Sequence, residues 1–97
     1  MGIKDEIFQK LRDLKPELAQ KFFVSSIGVF GSVVRDDFSE KTSDIDLLVD
    51  FSKPIGIEFI DLAEYIEKKL ARKVDLISKN AIRQSYFTRI QKDLVYV

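Results

Sequence analysis

Asp44 to Phe51 is the segment that most narrows what this chain can fold into. In an extended conformation Ile45, Leu47, Val49 and Phe51 fall on one side, and Asp44, Asp46, Leu48 and Asp50 on the other. A strand with one wholly apolar face needs a covering layer. Leu48 among the acids says that the second face is not simply wet. Lys53-Pro54-Ile55-Gly56 ends the segment.

The flanking segments supply the cover. Ile3, Ile7, Leu11, Leu14 and Leu18 recur at helical spacing. Pro16 interrupts the stripe, and the residue before a proline resists the helical well, so the first helix is expected to end near Lys15. Phe23 to Phe30 reads as a strand closed by Gly31, and Asp36 to Ser43 as a polar surface loop. A second amphipathic helix buries Phe59, Leu62, Ala63, Ile66 and Leu70. Lys73 to Ile77 is a short strand, Ala81 to Gln91 a third helix with Ile82, Phe87 and Ile90 inward, and Leu94 to Val97 an edge strand. The connections are too brief for a doubly wound parallel sheet. The expected class is α+β, with a small mixed sheet and helices packed mainly on one face.

Ninety-seven residues suit one domain spanning 1–97. Lys plus Arg and Asp plus Glu are both 16, so there is no global positive field and no direct nucleic-acid partner is expected. The chain contains no Cys and no His, which removes thiolate nucleophiles, His-ligated zinc and imidazole bases. Any catalysis must use carboxylates, Lys, Arg, hydroxyls and hard cations. No stretch reaches the ~20 apolar residues that span a bilayer, and the N-terminus lacks an apolar signal core. Gly2 suggests a myristoylation site, but Glu6 stands where that motif wants Ser or Thr. The expectation is a soluble cytoplasmic protein with no membrane partner.

Two local features carry chemistry. Gly31 lets the backbone approach a ligand closely, and Ser32 with the next amides can donate to phosphate oxygens; the plainer account is a strand end and a helix cap. Asp44 and Asp46, at i and i+2 on a strand, point the same way and lie roughly 6–7 Å apart. Such a pair can converge on two divalent cations roughly 3.5–4 Å apart, the arrangement used for in-line phosphoryl displacement. Without cations the two charges repel, and burial would push one toward protonation. The plainer account is a solvated edge strand, against which Leu48 stands. Asp75, between Val74 and Leu76, is an awkward acid for a short strand unless it faces a cleft. It becomes a third ligand if its strand neighbours that of Asp46. Arg35, about one turn beyond Ser32, can reach the same phosphates or form a surface ion pair. Asp50, Lys41 and Lys53 read as solvated charges.

A Gly31-Ser32 turn, an Asp44-Ile45-Asp46 strand and an isolated strand Asp75 in that order resemble the DNA polymerase beta-like nucleotidyltransferase superfamily. Within it the chain looks like the minimal nucleotidyltransferase group, prokaryotic antitoxins often paired with a HEPN-domain ribonuclease toxin. The resemblance runs from about Val24 to Asp75. It implies that Gly31, Ser32 and Arg35 bind the triphosphate of ATP, and that Asp44 and Asp46 hold two Mg2+ ions. It further implies that Asp75 ligates the catalytic metal and helps to activate the acceptor hydroxyl. Members of the group transfer AMP from ATP to a tyrosine of the toxin and silence it. The family often shows Ala-Arg-Gly after the turn, where this chain has Val34-Arg35-Asp36, which places a charge near the phosphate site. That departure keeps open an alternative, an antitoxin that neutralises its partner by occlusion alone. Transfer to a small molecule is a third reading, for which a homo-oligomer would have to complete the pocket. With eight Phe and three Tyr, some aromatic surface is expected for the partner, near Tyr86 or Tyr96.

Overall fold

A computed structural model describes residues 2–39 and 43–97. The elements run α1 (Ile3–Phe22), β1 (Val24–Phe30), α2 (Ser32–Arg35), β2 (Ile45–Phe51), α3 (Glu58–Leu70), β3 (Val74–Ser78), α4 (Gln84–Ile90) and β4 (Val95–Tyr96). The strands form one four-stranded sheet in the order β3-β2-β1-β4. β1 pairs antiparallel with both β2 and β4, whereas β2 and β3 run parallel, so the sheet is mixed as expected. The parallel pair needs a crossover, and α3 supplies it.

β1 and β2 take the two central places because they are apolar on both faces. Ile27, Val29, Ile45, Leu47 and Val49 are buried against Ile7, Leu11 and Leu18 of α1 and Leu62, Ile66 and Leu70 of α3. On the opposite face Phe30 and Leu48 form a smaller cluster with Ile90 of α4. The helices therefore lie mainly on one face, with α4 alone on the other. Leu48 is 1% exposed, which bears out its reading as a sign that the acidic face is covered.

The first helix does not end at Lys15. α1 continues through Pro16 to Phe22. Pro16 lies on the exposed side of the helix, while Leu14 and Leu18 on either side of it are buried. Burial of the stripe outweighs the local cost of the proline. The third helix is shorter than expected and starts at Gln84, because residues 79–83 form a turn with Ala81 N–H donating to the Ser78 carbonyl (3.1 Å). Ile82 still packs into the second cluster from that turn. Phe59 and Ala63 are half-buried rather than buried. Lys41 and part of the loop expected over 36–43 lie outside the described residues.

Asp36 closes α2 in the left-handed region at φ 64°. This is the position where the resembled family often carries glycine. Aspartate tolerates that conformation better than most residues, so the Val34-Arg35-Asp36 departure leaves the backbone path available. Asp36→Gly should relieve roughly 1–2 kcal/mol of left-handed strain. It should also add about 0.5–1 kcal/mol of unfolded-chain entropy. The expected outcome in urea denaturation is a net gain of about 0–1.5 kcal/mol; a loss of stability would mean that the Asp36 side chain is itself structural.

Candidate nucleotide site

Asp46 and Asp75 are register partners across the parallel β2–β3 pair, on strands that lie about 4.8 Å apart. Their side chains share the face that also carries Leu48 and Ile77. Asp44 sits just before β2, exposed, two residues from Asp46. Asp75 is also exposed, whereas Asp46 is half-buried. The three acids found in sequence are thus gathered at one end of the β2–β3 pair, with Asp46 at their centre.

The electrostatics follow from that placement. Asp46 is pushed up from 3.8 to about 6, first by burial, then by the charges of Asp75 and Asp44, with Arg35 partly offsetting them and Asp93 adding to them. The repulsion expected from the sequence therefore falls on the inner acid. Among the described residues, no group of three or more acids is drawn tightly enough to enclose a metal ion. The donor chemistry nevertheless suits hard cations: carboxylate oxygens only, around a centre with uncompensated negative charge.

Gly31 connects the acids to the turn. Its φ of 78° and ψ of −149° lie in a region open essentially to glycine alone. A Cβ added there would collide with Oδ2 of Asp46. The turn and the acidic strand are therefore in direct contact, and glycine is what allows it. Ser32 follows as the first residue of α2 and is half-buried.

Arg35 reaches the site by way of an ion pair. Its Nη1 donates to Oδ2 of Asp93 at 2.9 Å, and Nε lies 3.5 Å from Oδ2 of Asp37. The expected surface ion pair is present, and the paired Arg35 also lines a cleft. That cleft, of about 340 Å³, is bounded by Phe30, Gly31, Arg35, Asp46, Arg89 and Asp93, with Tyr86 and Ile90 beside them. Gly31, Arg35 and Asp46 are brought together here, while Ser32, Asp44 and Asp75 lie outside its walls.

Asp93 and Arg89 were not legible as site residues. Neither belongs to a local pattern; the docking of β4 on β1 puts Asp93 there. Gly28 pairs with Tyr96 and Val29 with Val95, and the turn that leads into β4 brings Asp93 within hydrogen-bond reach of the Gly31 N–H. Tyr86 makes an edge-on contact with Phe30 at 6.5 Å and lies beneath the Arg89 guanidinium. It is part of the cleft wall more than free surface, whereas Tyr96, on the edge strand, is 48% exposed.

The nucleotidyltransferase domain family matches residues 11–97. A protein of Methanocaldococcus jannaschii named as a putative protein adenylyltransferase is 45% identical over the full length of both proteins. The protein adenylyltransferase MntA of Thermococcus cleftensis is 42% identical over 96% of this chain and 94% of its own. Among solved structures, a toxin-antitoxin complex with AMP-PNP superposes with a TM-score of 0.71 at 21% identity, covering 98% of this chain and 72% of that one. A complex of tri-AMPylated Shewanella oneidensis HEPN toxin with its MNT antitoxin gives 0.61 at 21% identity, covering 96% and 66%. At that identity the likeness concerns the fold. The end-to-end relatives and the family match concern descent, and on them this chain belongs to the nucleotidyltransferase domain family and is a nucleotidyltransferase.

Proposed function

We propose that this protein is a cytoplasmic, Mg2+-dependent antitoxin that transfers AMP from ATP to a tyrosine hydroxyl of a cognate HEPN-type toxin, acting as a single minimal nucleotidyltransferase domain. The observation that carries this reading is the pairing of Asp46 with Asp75 across β2 and β3, in contact with the Gly31 turn. Relatives that span the whole chain are named for protein adenylylation, which supports the reaction class. The toxin-antitoxin folds support the kind of partner. Among the described residues no helix is long and apolar enough to cross a membrane, which fits the proposed compartment.

Asp44, Asp46 and Asp75 would hold two Mg2+ ions, which would offset the charge of the α-phosphate and of the departing pyrophosphate. Gly31, Ser32 and Arg35 would orient the triphosphate. The reaction forms a bond from the tyrosine oxygen to the α-phosphorus and breaks the α–β bridge, releasing pyrophosphate. Asp75, the exposed acid on the edge strand, stands where an acceptor on another protein can approach, and the hydroxyl proton leaves there. The chain contributes position and charge rather than a covalent intermediate.

The test is to incubate the purified chain and its partner with α-labelled ATP and Mg2+, then to weigh the intact partner. AMP-sized mass increments on tyrosine are expected, and Asp75→Asn should slow labelling by about 10³-fold or more, the loss of several kcal/mol of charge stabilisation. Undiminished labelling by that variant would remove Asp75 from the mechanism. The ion pair that already engages Arg35 favours a second reading, inhibition by occlusion. It predicts that Asp44→Asn, Asp46→Asn and Asp75→Asn combined still protect cells from the toxin as well as the wild type does.

A further inference from the structure

The Gly31 turn already holds an anion. Oδ2 of Asp93 accepts the Gly31 N–H at 3.2 Å and Nη1 of Arg35 at 2.9 Å. An N–H and a guanidinium meeting on one oxygen is the donor arrangement that a phosphate oxygen would use. Two of the three groups assigned above to the triphosphate are therefore satisfied by a side chain of the protein itself.

This carboxylate is held where it is by the fold. The segment that carries it is anchored on both sides: Asp93 N–H donates to the Ile90 carbonyl at 3.2 Å, and Val97 N–H to the Ile27 carbonyl at 2.9 Å. Leu94 packs over Gly28, where an added Cβ would come within 2.6 Å of it. Only 18% of the Asp93 side chain is exposed, and Asp93 lines the cleft together with Asp46. Rotation about its own side-chain bonds would release both donors without unpairing β4.

We propose that Asp93 is a built-in competitor for the nucleotide's phosphates, a residue that sets nucleotide affinity by occupying the anion seat until a polyphosphate displaces it. The inference rests on the nucleotide-binding reading given above. A site whose competent form is only partly populated binds with its intrinsic affinity reduced by that fraction. The chain thus keeps Arg35 and the Gly31 amide partnered when no nucleotide is bound, and loses affinity in return. Asp93 also adds a like charge beside Asp46, which its displacement would move away from the acids.

Asp93→Asn keeps the shape and removes the charge, and Asp93→Ala removes the competitor altogether. Titration calorimetry with AMP-PNP at fixed Mg2+ and ionic strength should show both variants binding about tenfold more tightly than wild type. Equal or weaker binding in both would overturn the proposal and make Asp93 a support for Arg35. A wild-type measurement covers the case in which the variants fold poorly: the carboxyl carbon resonance of Asp93 should shift as AMP-PNP saturates the protein, and a resonance that stays fixed overturns the proposal. Absence of AMP-PNP binding in the wild type and in both variants would instead remove the nucleotide reading on which it rests.

Discussion

Asp46→Asn should abolish adenylyl transfer while making the metal-free protein more stable at neutral pH. The two effects have one cause. Asp46 is half-buried beside Asp75 and Asp44, and burial followed by their charges raises it from 3.8 to about 6. Its folded value lies above its unfolded one. Between about pH 4 and pH 6 the native state therefore holds more proton than the unfolded chain, and this group makes stability fall as pH rises. Above about pH 6 the penalty is complete; below about pH 4 it vanishes. A shift of this size corresponds to about 3 kcal/mol at ~1.4 kcal/mol per unit. Solvent screening at a partly exposed site reduces that to about 1–2 kcal/mol. Urea denaturation in EDTA should show the asparagine variant more stable than wild type by that amount at pH 7.5, with the advantage mostly gone at pH 4. Transfer activity should fall by about 10³-fold or more. A variant less stable than wild type at pH 7.5 would mean that Asp46 is a structural residue.

Gly31→Ala should damage both fold and site. The position combines φ 78° with ψ −149°, and an alanine Cβ would strike the Asp46 carboxylate. Backbone strain of this kind costs about 1–3 kcal/mol. Relieving the collision must turn Asp46 away from Asp75 or move the turn that donates to Asp93. The expected result is a loss of about 2–4 kcal/mol in denaturant unfolding, together with loss of AMP-PNP binding. Gly56→Ala is the control, because its nearest neighbour would be Oε2 of Glu58 at 3.9 Å and its stability should change by less than about 0.5 kcal/mol. Equal effects of the two substitutions would show that the close approach at Gly31 is unimportant.

Much of the fold was legible because it depends on local periodicity. The alternation in Asp44–Phe51 places Ile45, Leu47 and Val49 against α1 and α3, and Leu48 against α4, as the pattern requires. The stripes of α1 and α3 are likewise visible in the residues they bury. Local rules failed at Pro16, where continuous burial of Leu11, Leu14 and Leu18 carried the helix past the proline. They also failed at the start of the third helix, where a turn intervened.

The order of residues along the chain determined that Asp46 lies on a strand with Asp44 two residues ahead at its mouth, and that a glycine turn precedes them; both follow from dihedral geometry within a few residues. The partners of those groups were decided elsewhere. Parallel pairing of β2 with β3 set Asp75 beside Asp46, and docking of β4 on β1 brought the turn before it, with Asp93, to the Gly31 N–H. Strand order and register are fixed by which apolar faces can be covered together, a property of the whole sheet. Single-residue spacing carries no record of it.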